Sequence, residues 1–210
     1  STSMLDSIDE AEKAALQFFQ SVVQAKDRAC LITFNDSPEL VVPFTNDHEV
    51  LAGGLAGLTA EGETALHDSL VYALHYFSGL RGKRALILLS DGEDVGSSYT
   101  FDEALDFARR TGVPIYTIGL GVAQRDAMAR TKLVRLAQDT GGRSFFIDSA
   151  DGLTSVYSRI ETELRAQYLI AYQSSQGAEG GDKYRQVDLE IKKPGMNAKV
   201  EIIVDQLDDI

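Results

Sequence analysis

One short stretch, Arg84 to Asp94, constrains the fold of this 210-residue chain more than any other. Residues 85–89 form an unbroken apolar run, which ends abruptly at Ser90, Asp91 and Gly92. A short apolar run closed by a turn signal is typical of a strand buried on both faces, as in a parallel sheet. Ligands of open α/β sheets bind just beyond the carboxyl ends of such strands, so Asp91 lies where a binding site is expected.

Strand and helix patterns alternate through most of the chain. Strands are predicted at residues 28–34, 39–44, 85–89, 115–118 and 144–147. Helices are predicted at residues 8–23, 46–57, 64–77, 101–110, 126–140 and 149–164, with Thr45 or Asn46 as the cap of the second and Thr64 as the start of the third. This alternation predicts an α/β fold: a doubly wound, mostly parallel sheet with helices on both faces. The first two strands are predicted to pair as a hairpin.

The last residues of the chain differ in character from the rest. Val187, Leu189 and Ile191 alternate with charged residues, which is typical of a half-buried antiparallel strand. We therefore predict one domain over residues 1–166 and an antiparallel β extension of the same sheet over residues 167–210.

The strongly acidic composition makes some classes of binding partner unfavourable. The formal charge is −12 and the isoelectric point is near 4.6, which argues against nucleic acid and anionic membrane surfaces as ligands. No apolar stretch approaches the roughly 20 residues that span a bilayer. A single cysteine, Cys30, excludes an internal disulfide, and we predict a buried, unreactive thiol.

Three predicted loops carry hydroxyls or carboxylates at the expected carboxyl edge of the sheet. They contain Ser1 and Ser3, Thr64, and Ser90 with Asp91. Taken singly, each of these residues has a structural explanation as a helix cap or a turn residue. Taken together, two serine hydroxyls, one threonine hydroxyl and one carboxylate form an oxygen ligand set that suits a hard divalent cation such as Mg²⁺.

These motifs resemble the von Willebrand factor type A domain. The sequence STSM at residues 1–4, GETAL around Thr64 and LLSDGED around Asp91 are similar to that family's metal-ion-dependent adhesion site, and VPIYTIGLG at 113–121 is similar to a later strand. The resemblance covers residues 1–166 and implies a Rossmann-like fold. It also implies Ser1, Ser3, Thr64 and Asp91 as ligands of a divalent cation, Mg²⁺ before Mn²⁺ or Ca²⁺.

The resemblance is incomplete at the start of the chain. The family's first strand and the aspartate of its Asp-x-Ser-x-Ser motif are expected before Ser1. One explanation is that the chain begins at a break. The alternative is a permuted chain, in which Asp209 and Ile210 join Ser1 to restore the motif, and residues 200–204 form a strand between the strands of Cys30 and Leu86. Glu201 opposes this alternative, because a buried central strand rarely holds a carboxylate.

The resemblance implies a binding module and not an enzyme. The cation would leave one coordination position open for an Asp or Glu carboxylate of a partner protein. The extension that begins ELRAQYLIAYQ is similar to bacterial members that are often exported, so an extracytoplasmic or secreted location is expected, although a cytoplasmic one stays open. The oligomeric state is not predicted.

Two other functions remain open on the sequence. A metal-dependent hydrolase would need a general base, and only Glu93, Asp94 and Asp68 are available near the site. A metal-free structural domain is the other alternative. We predict that these three acids belong to a solvated surface and that His67 lies on the exposed side of its helix.

Overall fold

The computed structural model describes residues 8–56, 58, 64–122 and 126–166, and the side chains from residue 11 onward. The chain divides into two compact units, Ser1–Gln167 and Tyr168–Ile210, and every element described below belongs to the first. The helices are α1 (Ile8–Val22), α2 (His48–Leu55), α3 (Leu66–Tyr76), α4 (Phe101–Thr111), α5 (Ala127–Thr140) and α6 (Leu153–Ala166). The strands are β1 (Ala29–Phe34), β2 (Pro38–Thr45), β3 (Leu86–Ser90), β4 (Ile115–Leu120) and β5 (Ser144–Ile147).

The parallel sheet has the order β3-β4-β5, and its central strand β4 is buried at every position. Leu86 pairs with Ile115, and Ser90 pairs with Gly119, so β3 and β4 run together without a shift in register. The strands β1 and β2 form a separate antiparallel hairpin, in which Phe34 pairs with Pro38. The α/β class, the parallel sheet and the hairpin are therefore confirmed.

Helices cover both faces of the parallel sheet. One apolar core joins α3, α4 and α5 to the sheet and includes Leu70, Leu105 and Leu133. The other core joins α1 and α6 to the opposite face through Phe18 and Ile160. Because successive side chains of a strand point to opposite faces, β3 contributes to the first core through Leu86 and Leu88 and to the second through Ile87 and Leu89.

Within the described ranges, none of the helices has the length and apolar character needed to cross a bilayer.

Two predicted helix starts were wrong. Helix α2 is capped by Asp47, whose carboxylate accepts from the N–H groups of Glu49 and Val50, and not by Thr45 or Asn46. Helix α3 begins at Leu66 after Ala65, an N-cap residue without a side-chain hydrogen bond, so Thr64 does not begin or cap it. In both cases a local sequence signal was displaced by one or two residues, which is the usual error at helix ends.

The prediction that the strand at residues 85–89 is buried on both faces was also wrong. Every residue of β1 is half-buried, and Ile87 and Leu89 of β3 are half-buried as well. The reason is that both strands line one groove, where these side chains stay partly exposed. The predicted antiparallel extension at residues 167–210 and the proposed pairing of residues 200–204 lie outside the described residues and stay predictions.

Candidate metal site

A groove of about 1180 Å³ separates β1 from β3. Apolar side chains of both strands and of the helices α1, α3 and α6 line it, together with charged residues such as Lys26, Arg28 and Arg84. Thr64 and Asp91 both line it. The family resemblance predicts a further strand between β1 and β3, and no described residue occupies that position.

The carboxyl ends of β1 and β3 meet the same short segment, residues 64–65. The carbonyl of Asn35, which follows β1, accepts a 2.7 Å hydrogen bond from the N–H of Ala65. The carbonyl of Thr64 accepts a 2.9 Å hydrogen bond from the N–H of Val95, in the loop after β3. Thr64 is buried, with 5% of its surface exposed. The structure thus holds Thr64 between the ends of two strands, at the carboxyl edge where a site was predicted.

The turn after β3 fixes the position of Asp91. Gly92 has a φ of +82°, which strains other residues, and a Cβ added there would lie 3.0 Å from the Cβ of Ala129, so both features favour glycine. The N–H of Gly92 donates to Ser90 Oγ at 3.0 Å, and the N–H of Glu93 donates to Asp91 Oδ1 at 3.1 Å. These bonds orient the carboxylate on a short, constrained turn.

The four predicted ligands divide into two pairs. Thr64 and Asp91 lie at the same groove, whereas Ser1 and Ser3 lie outside the described residues. Across the described part of the chain, no three His, Cys, Asp or Glu side chains are grouped so as to hold a metal ion. The predicted set is of a different kind, because it combines hydroxyls with one carboxylate. Hydroxyl and carboxylate oxygens are donors that suit Mg²⁺, so the chemistry of the two described candidate residues, Thr64 and Asp91, fits the predicted cation.

Two polar residues beside this site were wrongly predicted to face solvent. His67 has 5% of its surface exposed, and the side chain of Asp94 is 11% exposed and lies 3.2 Å from His67 Nδ1. Asp68 accepts a hydrogen bond from the N–H of Tyr99. Slight burial raises the pKa of Asp68, but hydrogen bonds from Tyr99 and Ser98 outweigh burial, and the net pKa is lowered. No local pattern could have shown these contacts, since the partners lie about 30 residues apart in sequence.

Cys30 also lines the groove, and it is half-buried rather than buried. Burial raises the pKa of its thiol from 9.0 to about 11. At pH 8 the thiolate fraction is then about 100-fold lower than for an unperturbed thiol, and the thiolate is the reactive form. We expect iodoacetamide to alkylate Cys30 about 100-fold more slowly in the native protein than in the urea-unfolded chain, as followed by mass spectrometry. Equal rates in the two states would contradict this prediction.

The fold and the position of Thr64 and Asp91 define an α/β domain with a hydroxyl and a carboxylate side chain at the carboxyl edge of its strands. The chain belongs to the von Willebrand factor type A domain family, which matches residues 1–159. It is 28% identical over 177 residues to a UPF0353 protein from Mycolicibacterium paratuberculosis, and the match covers 73% of this chain and 53% of that protein. The chain therefore spans about half the length of this curated relative.

Two solved structures show the same fold. The vWF domain of the type V pili tip protein Mfa5 from Porphyromonas gingivalis has a TM-score of 0.69 at 14% identity, covering 83% of this chain and 95% of that one. The conserved hypothetical protein BatB from Bacteroides thetaiotaomicron has a TM-score of 0.63 at 18% identity, covering 80% of this chain and 95% of that one. Family membership supports a general role as a protein-interaction module.

Proposed function

We propose that this domain binds a partner protein through a divalent cation, Mg²⁺ before Mn²⁺ or Ca²⁺. The cation would be held by Ser1, Ser3, Thr64 and Asp91, and an Asp or Glu carboxylate of the partner would complete its coordination. The observation that carries the proposal is the position of Thr64 and Asp91 at one groove, beside the carboxyl ends of two strands, in a chain of this family.

Two structural findings support Thr64 and Asp91 as ligands. Thr64 has lost its competing explanation as a helix cap, because Ala65 is the N-cap residue of α3. Asp91 precedes Gly92 in a tight turn, and its Oδ1 accepts a hydrogen bond from the N–H of Glu93, which orients the carboxylate. Preorganised ligands of this kind reduce the conformational entropy that binding must overcome.

The acidic surface gives the cation a second role. A chain with a net charge of −12 repels an acidic partner, and a bound divalent cation supplies positive charge at the point of contact. When bound, the cation would act as the bridge between two sets of oxygen ligands.

An extracytoplasmic location is part of this proposal. It is supported by two solved structures of similar fold, a pilus tip protein and an aerotolerance-related membrane protein of Bacteroides fragilis.

Metal titration tests the proposal directly. We expect MgCl₂ and MnCl₂ to raise the melting temperature of the 210-residue chain, because a ligand that binds only the folded state stabilises it by about 2.7 kcal/mol at 100 times its Kd. The measurement is the loss of far-ultraviolet circular dichroism on heating, with NaCl at matched ionic strength as the control. An unchanged melting curve at millimolar Mg²⁺ and Mn²⁺ would refute metal binding.

A second titration tests the open coordination position. Sodium glutamate added at a fixed, saturating Mg²⁺ concentration should raise the melting temperature further, and it should have no such effect in the presence of EDTA. A glutamate effect of equal size with and without Mg²⁺ would contradict a role for the cation as the bridge.

A further inference from the structure

His67, in the first turn of α3, is the centre of a buried polar network. Its ring packs edge-on against Phe101, with the ring centroids 5.8 Å apart. Its Nδ1 lies 3.1 Å from the carbonyl oxygen of Tyr99 and 3.2 Å from Asp94 Oδ2. Both neighbours are acceptors, so Nδ1 must carry a hydrogen and donate. The other ring nitrogen, Nε2, is buried and has no hydrogen-bond partner among the described residues.

The network supplies the cap that α3 lacks. The N–H groups in the first turn of a helix have no partner within the helix, and Ala65 has no side chain that could accept from them. Asp94 Oδ1 accepts from the N–H of His67 at 3.1 Å. Ser97 Oγ accepts from the N–H groups of His67 and Asp68 at 3.0 and 3.1 Å, and it donates to Asp94. A carboxylate at this position also interacts favourably with the helix dipole.

These hydrogen bonds attach the loop between β3 and α4 to the first turn of α3. Side chains of this loop contribute little apolar burial, since Val95 and Tyr99 are 66% and 47% exposed. The same loop begins at Asp91, three residues before Asp94, and α3 begins two residues after Thr64. The cap therefore joins the two segments that carry the described candidate ligands.

We infer that Asp94, His67 and Ser97 are positioning residues, which set the geometry between Thr64 and Asp91 by capping α3 from the neighbouring loop. The inference rests on the proposed metal site for its functional consequence. Its structural part, that the cap holds the loop against Thr64, is testable without metal. The N–H groups of Val95 and Gly96 report on that contact, because both point to the carbonyl of Thr64, at 2.9 and 3.4 Å.

The test compares two cap variants with a distant control. Ser97→Ala removes the hydroxyl, and Asp94→Asn places an amide donor opposite the Nδ1–H of His67. The control is Thr140→Val, which removes a buried hydroxyl that accepts from the N–H of Ile115 at 3.1 Å. Ile115 pairs with Leu86 at the amino end of β3, the end opposite Asp91, so the control perturbs the fold away from the loop.

Two measurements, Mg²⁺ affinity and amide exchange, distinguish a role in positioning the candidate ligands from a general effect on the stability of the fold. Calorimetric titration with Mg²⁺, well below the melting temperature, should show that Ser97→Ala and Asp94→Asn bind Mg²⁺ about tenfold more weakly. An effect of this size is typical when a residue that orients a metal ligand is replaced. Ser97→Thr, which keeps a hydroxyl, should recover most of that affinity. Thr140→Val should lower the melting temperature and leave the affinity unchanged.

Amide exchange provides the metal-free readout. We expect the N–H groups of Val95 and Gly96 to exchange at least about tenfold faster in the two cap variants than in the control. Unchanged exchange in both cap variants would overturn the inference. Faster exchange with unchanged Mg²⁺ affinity would show that the network caps α3 but does not position the metal ligands. A wild-type chain that does not bind Mg²⁺ refutes the proposed function instead, and amide exchange still decides whether the cap holds the loop.

Discussion

Replacing Asp91 with asparagine is expected to weaken Mg²⁺ binding by more than about 100-fold, as measured by calorimetric titration. Replacing a residue that only orients a metal ligand costs about 10–100-fold in metal affinity. Asp91 is itself the one carboxylate in the proposed ligand set, so a larger loss is expected. A 100-fold loss corresponds to about 2.7 kcal/mol of binding free energy. The fold should persist, because the asparagine oxygen can still accept the hydrogen bond from the N–H of Glu93.

A matched control for this variant is Asp106→Asn. Asp106 lies on the exposed side of α4, where its carboxylate pairs with Arg109 and is 56% exposed. The control changes the net charge by the same amount as Asp91→Asn, so it accounts for any general electrostatic effect on cation binding. If Asp91→Asn bound Mg²⁺ as tightly as Asp106→Asn, Asp91 would not be a ligand.

The largest expected effect on stability comes from the core between the sheet and helices α3 to α5. Leu105 of α4 has no exposed surface, and its replacement by alanine should lower the free energy of unfolding by about 2–5 kcal/mol, through lost burial and the cavity left behind. For a domain of this size each kcal/mol corresponds to about 2–4 °C in melting temperature. Urea unfolding followed by circular dichroism measures the effect.

Met128→Ala is the control for the core substitution. Met128 lies in α5 and is 73% exposed, and leucine and methionine have similar helix propensities. Both substitutions therefore change helix propensity alike and differ in burial. A loss of stability in Met128→Ala as large as that in Leu105→Ala would show that the effect does not come from the core.

The helices and strands of residues 8–166 could be predicted because their signals are local. The apolar run of β3 and the helical periodicity of α1 and α6 depend on neighbours a few residues away, and these elements appear close to their predicted bounds. The capping box of Thr100 and Glu103 at the start of α4 is local in the same way. Where a local signal was ambiguous by a residue or two, as with Thr45, Asn46 and Asp47, the prediction chose the wrong cap.

Burial was predictable only where the neighbouring element was known. The central strand β4 has partners on both sides and is buried throughout. The strands β1 and β3 border the groove, and all of β1 and the residues Ile87 and Leu89 of β3 are half-buried. Their sequences are equally apolar, so composition alone could not distinguish them. The difference depends on which strands pair, and this is a property of the whole sheet.

For the candidate site, the sequence by itself determined the residue types and the loops on which they lie. Thr64 and Asp91 were identified from motifs, and the placement of Asp91 beyond the carboxyl end of β3 follows from the parallel topology that the alternation predicted. Only the tertiary structure decided that Asp94 and Ser97 cap α3 and bury His67. The physical reason is that the N-cap residue of α3 is an alanine, which has no side-chain acceptor, so the unsatisfied N–H groups of the first turn take acceptors from a loop nearly 30 residues further along the chain.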